Sequence, residues 1–286
     1  MTFLESLLQG LLQGFTEFLP ISSSGHLSLF QHFFNLDGEG AVTTTIVLHL
    51  GSLVAVFIAF RKTIGKLILE FFRMIKDIFT GKFKWKEMNL ERRMIMMIII
   101  SILPLFGFYI FKDFFDSLAS DPDIIVEGFA FLYTSALLFI STKSKEGNKL
   151  AGETTVKSAF FIGIFQGIAL VPGISRSGST ISAGLLTGLK RKEAIEYSFI
   201  LGIPVILAGA VVKLLEVKSS NVELDIPVLA VGFIAAAVSG YLAIKLINLL
   251  VVKDKFRIFA YYTLVLGILV LGIGFYERFS GYRIVF

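Results

Sequence analysis

Gln13-Gly14-Phe15-Thr16-Glu17-Phe18-Leu19-Pro20-Ile21-Ser22-Ser23-Ser24-Gly25-His26 and Gln166-Gly167-Ile168-Ala169-Leu170-Val171-Pro172-Gly173-Ile174-Ser175-Arg176-Ser177-Gly178-Ser179-Thr180 are two versions of one pattern. In each, an apolar run carries Gln-Gly, meets a proline, breaks into a Ser/Gly cluster and resumes as an apolar segment. The pattern predicts a helix, a broken tip and a second helix. Twelve residues separate the Gln from the Gly of the Ser-Gly pair in both copies, although one residue changes sides around the proline.

Composition fixes the class of chain in which this pattern sits. Of 286 residues, 55% are hydrophobic and only 17% charged, against about 25% charged in a soluble domain. The chain reads as an integral membrane protein. It has no cysteine, which removes disulfide and thiolate chemistry. The Met1-Thr2-Phe3-Leu4-Glu5 start lacks the basic region of a cleaved signal peptide, so the first apolar run is expected to be retained. The net charge of +5 suits basic cytoplasmic loops and gives no support to nucleic acid as a partner.

Working outward, residues 42–60, 94–111, 124–141, 194–212, 226–244 and 258–276 each approach the roughly 20 apolar residues that a bilayer core requires. Six spanning helices are expected. The two broken stretches, about 2–35 and 155–190, are interrupted at membrane depth, where lipid cannot satisfy free amides and carbonyls. They read as re-entrant helical hairpins inside the bundle. Residues 61–93 hold ten basic side chains against four acidic ones, which places that loop in the cytoplasm. Lys143, Lys145, Lys149, Lys190, Arg191, Lys192, Lys253, Lys255 and Arg257 mark further inner loops, whereas 112–123 and 216–225 are acidic and lie outside. This alternation makes the first hairpin enter from outside and the second from the cytoplasm. The expected fold is therefore all-α: one membrane domain over 1–286, an inverted repeat of about 1–145 and 150–280, and a basic connector at about 61–93. Within that connector, 63–91 reads as an amphipathic helix on the inner membrane surface.

An inverted repeat with broken helices places its site where the two tips meet. Gln9, Gln13 and Glu17 share one helix face, and a carboxylate within the membrane is a functional candidate by default. Ser22, Ser23, Ser24 and His26 add hydroxyls and an imidazole able to act as nucleophile or acid/base. Gly173, Ser175, Arg176, Ser177 and Thr180 read as a phosphate cradle, with one guanidinium at a helix start. No Gly-Lys-Ser/Thr ending follows, which argues against a nucleotide loop. One tip thus supplies acid/base and nucleophilic groups and the other anion-binding groups, the division that phosphoryl transfer requires. A phosphorylated lipid is the expected substrate.

At these residues the sequence resembles the undecaprenyl-diphosphate phosphatases of the bacitracin-resistance type. The first signature, Glu/Gln-x-x-x-Glu leading into Pro-x-Ser-Ser-x-Gly-His, is matched by Gln13, Glu17, Pro20, Ser22, Ser23, Gly25 and His26. The second, Pro-Gly-x-Ser-Arg-Ser-x-x-Thr, is matched by Pro172, Gly173, Ser175, Arg176, Ser177 and Thr180. The resemblance implies hydrolysis of undecaprenyl diphosphate to the monophosphate carrier lipid in a bacterial inner membrane, at a site reached from the extracytoplasmic side. It also implies a divalent cation such as Mg²⁺ or Ca²⁺. By it, Glu17, Ser23, His26 and Arg176 are catalytic. Gln13, Ser22, Ser24, Gly173, Ser175, Ser177 and Thr180 bind substrate, and Glu17 activates a group or helps hold the metal. Gln13 is the neutral variant of its position, which weakens a paired-acid metal site. Ser23 and His26 both remain candidates for attack on phosphorus, with Ser23 favoured and His26 as its base. The bilayer and a homodimer are the remaining partners entertained. A second membrane phosphatase superfamily needs a histidine beyond the arginine, and the only histidines here are His26, His32 and His49. An inverted-repeat transporter or flippase of a phosphorylated lipid is the alternative; it explains the architecture without requiring Glu17, His26 and Arg176 together.

Overall fold

The computed structural model describes residues 1–36, 41–119, 123–144, 147–217, 225–252 and 255–285; Lys145, Lys253, Asp121 and most of the 216–225 loop lie outside them. Among the described residues the chain is helical and six helices are long and apolar enough to cross a membrane. These are α3 (Ala41–Ala59), α5 (Leu90–Tyr109), α7 (Ile125–Thr142), α10 (Arg191–Val217), α11 (Ile226–Val252) and α12 (Arg257–Ser280). All six expected segments are there, with α10 and α11 each extended to 27 residues.

Both broken stretches form helix, break and helix. The first is α1 (Phe3–Phe18) and α2 (Ser23–Phe34), the second α8 (Val156–Ile168) and α9 (Arg176–Leu186). Thr2 and Glu5 start α1 with a reciprocal capping box. Pro20 then prevents α1 and α2 from running together, because it has no amide proton to give to the ladder. Ser22 restarts the chain as the N-cap of α2, its hydroxyl accepting from the Gly25 amide at 3.2 Å. Ser175 does the same for α9 through the Gly178 amide at 3.0 Å.

The two copies pack in exchanged fashion. α1 lies along α11 and α8 along α5, while α7 pairs with α12 and α3 lies between α10 and α11. Small residues permit the close approach: a Cβ on Gly10 would collide with the Gly232 carbonyl, and one on Gly163 with the Ser101 carbonyl. Gly10 and Gly163 each stand three residues before the Gln of their Gln-Gly pair, so the two stretches also match in the glycine that each sets against a neighbouring helix.

Contacts at the helix ends separate two poles. At one, Ser6 donates to the Val228 carbonyl (2.6 Å), His32 meets Glu277 (2.9 Å) and Arg278 reaches Asp123 (3.4 Å). At the other, Arg93 donates to the Thr154 carbonyl (3.3 Å), Lys149 to the Thr187 carbonyl (3.0 Å) and Arg191 to the Val251 carbonyl (3.3 Å). The open ends of the α1–α2 pair lie at the first pole and those of α8–α9 at the second.

Two connectors differ from expectation. The amphipathic helix α4 (Arg61–Phe79) buries Ile64, Leu67, Glu70 and Met74, yet it stops at Thr80 rather than running towards 91. Gly81, at φ +68°, takes the left-handed turn that ends it. Arg92 at the start of α5 then holds Glu70 and Asp77 of α4 at 2.6 and 2.8 Å. The 112–123 loop contains a short helix, α6 (Lys112–Ala119).

Candidate active site

The two breaks meet each other. The Gly173 amide donates to the Ser24 hydroxyl at 3.2 Å, and the Ser177 hydroxyl donates to the Leu19 carbonyl at 3.1 Å. Across this seam the Glu17 carboxylate forms an ion pair with the Arg176 guanidinium through Oε1 and Nη2. The other carboxylate oxygen, Oε2, accepts from the Ser23 hydroxyl at 2.6 Å and from Gln13 Nε2 at 3.1 Å. Glu17 and Gln13 are one turn apart on α1, and Ser23 opens α2. The Pro20 break folds these three groups onto one carboxylate.

Ser22 has an uncommon backbone, with φ +74° on a non-glycine residue. Such a conformation costs on the order of 1–3 kcal/mol and persists where its surroundings hold it. Here it turns the Ser22 carbonyl towards His26, which binds it through Nδ1 at 2.7 Å. A carbonyl only accepts, so Nδ1 carries a proton. Nε2 of the neutral ring is then the acceptor for the Tyr262 hydroxyl, 2.8 Å away. The Tyr262 ring lies parallel to the imidazole and Phe131 packs edge-on against it.

The anion-binding tip is equally supported. The Ser175 amide donates to Thr134 at 3.2 Å, and the Ser175 and Ser177 hydroxyls lie 3.3 Å apart. Gly173, at φ +84°, packs on Ala130 and Glu127 of α7. Arg176 also donates to the Ser198 carbonyl at 3.4 Å, and its guanidinium lies over Gly202 of α10, where a Cβ would collide with it. Two helix N-termini therefore start at the seam, those of α2 and α9, and first-turn amides have no intrahelical acceptor. Together with Arg176 they favour an anion.

Of the residues expected at the site, Gln13, Glu17, Ser22, Ser23, Ser24, His26, Gly173, Ser175, Arg176 and Ser177 are gathered at the two tips. Thr180 is drawn aside: its hydroxyl binds the Arg176 carbonyl (2.9 Å) and Ser198 (2.6 Å), so it braces the cradle from behind. The expected Ser23–His26 hydrogen bond gives way to a different pairing. Ser23 sits on Glu17, and His26 is held between Ser22 and Tyr262. Positions 23 and 26 are neighbours on one face of α2, but the Glu17 carboxylate takes the Ser23 hydroxyl while Ser22 and Tyr262 occupy both ring nitrogens.

Four residues stand outside both motifs. Tyr262 braces the first tip through His26 and Thr134 braces the second through the Ser175 amide. Gly202 seats Arg176. His49 of α3 places Nε2 3.7 Å from Glu17 Oε2, and its Nδ1 meets the Thr45 carbonyl at 2.8 Å; an imidazole within an apolar span was its signal. Among the described residues no group of three or more His, Cys, Asp or Glu side chains gathers to hold an ion by itself. Gln13 Oε1 is nonetheless buried beside Glu17 with no hydrogen-bond partner.

An all-helical, multi-pass membrane protein with a buried Glu–Ser–Arg centre at the junction of two broken helix pairs is the class that these observations define. The chain belongs to the family described as bacitracin resistance protein BacA, which matches residues 6–269. It is 37% identical over 282 residues to undecaprenyl-diphosphatase 4 of Bacillus thuringiensis subsp. konkukian (strain 97-27), covering 98% of this chain and 100% of the relative. It is 36% identical over 274 residues to the undecaprenyl-diphosphatase of Alkaliphilus metalliredigens (strain QYMF), covering 95% and 98%. Identity to the undecaprenyl-diphosphatase of Halothermothrix orenii (strain H 168 / OCM 544 / DSM 9562) is 39% over 265 residues, covering 92% and 94%.

Proposed function

We propose that this chain hydrolyses undecaprenyl diphosphate to undecaprenyl phosphate and inorganic phosphate, returning the carrier lipid to cell-wall synthesis and so conferring bacitracin resistance. The relatives' names support the substrate. The observation that carries the chemistry is the Glu17 carboxylate shared by the Ser23 hydroxyl and the Arg176 guanidinium.

While Arg176 is paired with it, the Glu17 carboxylate is held as the anion and is a weak base. An entering diphosphate offers Arg176 oxygens that match its planar fork. As Arg176 turns to the phosphate, Glu17 regains basicity where the Ser23 proton lies. The Ser23 oxygen then attacks the terminal phosphorus, its proton passes to Glu17, and the bond to the bridging oxygen breaks, releasing undecaprenyl phosphate. The amides at the starts of α2 and α9, with Arg176, stabilise the charge gathered on the transferred group. Water next attacks the phosphoserine. It gives a proton to His26 through the Tyr262 hydroxyl, while Ser23 recovers its own from Glu17. The orphaned Gln13 Oε1, together with the Glu17 carboxylate once Arg176 has left it, would hold a divalent cation such as Mg²⁺, which would neutralise phosphate charge.

The two helix pairs are re-entrant hairpins of an inverted repeat in this proposal, with the site opening outward in the bacterial inner membrane. Support comes from the exchanged α1–α11 and α8–α5 packing and from the two poles, one of which gathers Arg93, Lys149 and Arg191. The test is phosphate release from undecaprenyl diphosphate by the purified protein, with and without chelator. Release by the wild type and its loss in Glu17→Gln and Ser23→Ala are expected; wild-type rates in either variant would remove the proposed base or nucleophile.

A further inference from the structure

Away from the two tips, a recess of about 360 Å³ lies on the basic connector, between α4, the turn that follows it and the start of α5. Four cations and two carboxylates line it, which leaves an excess of two positive charges. These charges are not shared evenly. Both carboxylates, Glu70 and Asp77, are taken by Arg92 at 2.6 and 2.8 Å, and the Phe83 ring covers the same guanidinium at 5.9 Å. This half-buried group forms the floor and has no charge left to offer. Arg73 is exposed and reaches Glu70 only at 3.6 Å. Lys76 and Lys82 form no ion pair among the described residues.

The fold brings the two free lysines to one place. α4 ends at Thr80, the Gly81 turn reverses the chain, and the Lys82 amide donates back to the Asp77 carbonyl at 2.8 Å. A helix C-terminus ordinarily repels an anion through its free carbonyls. Here the Thr80, Gly81 and Lys82 amides take up the Lys76, Ile78 and Asp77 carbonyls, so the lysines set the sign of the recess.

The surroundings of Lys76 identify the anion. Its helical neighbours three and four residues away are Phe72 and Phe79 on one side and Arg73 and Thr80 on the other. Phe72 is 64% exposed and Phe79 86%, whereas Ile64, Leu67 and Met74 of the same helix are buried against the bundle. A helix with such a division lies in the membrane interface, its apolar side among acyl chains and its basic side among headgroups. Lys76 stands on the border between them.

We propose that this recess binds the phosphate group of an anionic phospholipid, with Lys76 and Lys82 donating to the phosphate oxygens, Arg73 at the rim and the acyl chains against Phe72 and Phe79. Arg92 is a positioning residue: it neutralises the two carboxylates that would otherwise repel the headgroup. A zwitterionic lipid brings its own cation to a recess that already has an excess of positive charge, so the site discriminates by net charge.

The chain carries its own reporter. Trp85 is its only tryptophan, is exposed and lies three residues beyond Lys82. The experiment is quenching of Trp85 fluorescence in the full-length protein reconstituted in phosphatidylcholine vesicles, titrated with phosphatidylglycerol or phosphatidylcholine brominated on the acyl chains. Bromine quenches only a tryptophan that it approaches closely, so the two titrations give the lipid preference beside Trp85. Wild type should prefer phosphatidylglycerol by about fivefold or more, the order that one basic side chain contributes at an anionic lipid. Lys76→Gln/Lys82→Gln should bring the ratio close to one, and a thermal melt checks its fold; the single Lys82→Gln, in the turn, replaces it if the melt is lost. Lys86→Gln removes a lysine next to the reporter but outside the recess and should leave the preference unchanged. An equal loss in Lys86→Gln would make the attraction a diffuse property of the loop and overturn the site. A ratio of one in wild type, a preference that survives Lys76→Gln/Lys82→Gln, or no quenching by either lipid would overturn it too. Inorganic phosphate at constant ionic strength tests the other source of the same group. It should not displace the brominated lipid; recovery of Trp85 fluorescence would give the recess to free phosphate and remove the lipid as its occupant.

Discussion

Arg176 carries the cradle's only guanidinium, and its effect depends on shape as well as charge. Arg176→Lys keeps a cation but loses the planar fork that matches phosphate oxygens, so phosphate release should fall by about 10²–10³-fold, the loss typical of removing one preorganised stabilising group; near-normal turnover would make the residue structural. Gly202→Ala leaves Arg176 in place but puts a methyl group where its guanidinium lies. It should lower turnover by about tenfold or more with little change in melting temperature, because the guanidinium is the group displaced. Tyr262→Phe removes only the hydroxyl on His26, and release should drop by about 10–100-fold, within the range of general acid–base catalysis. Loss of the fold in that variant would instead assign Tyr262 to packing. These three residues also mark how far the sequence can be read at this scale. Glu17, Ser23 and Arg176 stand in motifs whose chemistry is evident from residue type. Gly202 and Tyr262 act on them from α10 and α12, and no local spacing connects position 26 to 262. The pairing of Ser23 with Glu17 was hidden for a related reason: which of two nearby partners a hydroxyl chooses depends on how the chain folds back at Pro20.

The elements were more legible than their ends. Six apolar runs and two interrupted ones follow from the cost of leaving backbone groups unpaired in lipid, and each appears, although α10 and α11 run on to Val217 and Val252, well past their expected ends at 212 and 244. The α4 terminus was missed because the alternation of apolar and basic residues continues beyond Thr80, although Gly81 had already turned the chain. Partner choice among helices was also silent in the hydropathy, since a lipid-facing leucine and a helix-facing one have the same index. What sets partner choice is side-chain size. Gly10 lets α1 lie directly on the α11 backbone. Gly10→Leu should therefore destabilise the protein by about 1–3 kcal/mol or more, the cost of overpacking a tight interface, and lower its melting temperature in detergent. An unchanged melt would mean that α1 is free to move off α11.

For the whole molecule, the proposed orientation is open to a direct measurement because the chain contains no cysteine. Lys84→Cys and Arg278→Cys introduce single thiols at side chains that are 66% and 65% exposed, one on the basic connector and one at the opposite pole. A membrane-impermeant maleimide should label position 84 only from the cytoplasmic side and position 278 only from the outside. Labelling of both from one side would end the inverted arrangement, and with it the outward-facing site.

The centre also has a consequence for biogenesis. Glu17 and Ser23 leave the ribosome early, Arg176 follows after more than half the chain, and Tyr262 comes only with the last helix. A nascent chain that has threaded its first hairpin into the membrane holds the serine and its carboxylate but neither the guanidinium nor the phenol. On the proposed mechanism hydrolysis therefore waits for the second half of the chain, and a truncated product lacking α12 would consume the lipid carrier around it more slowly than the full chain.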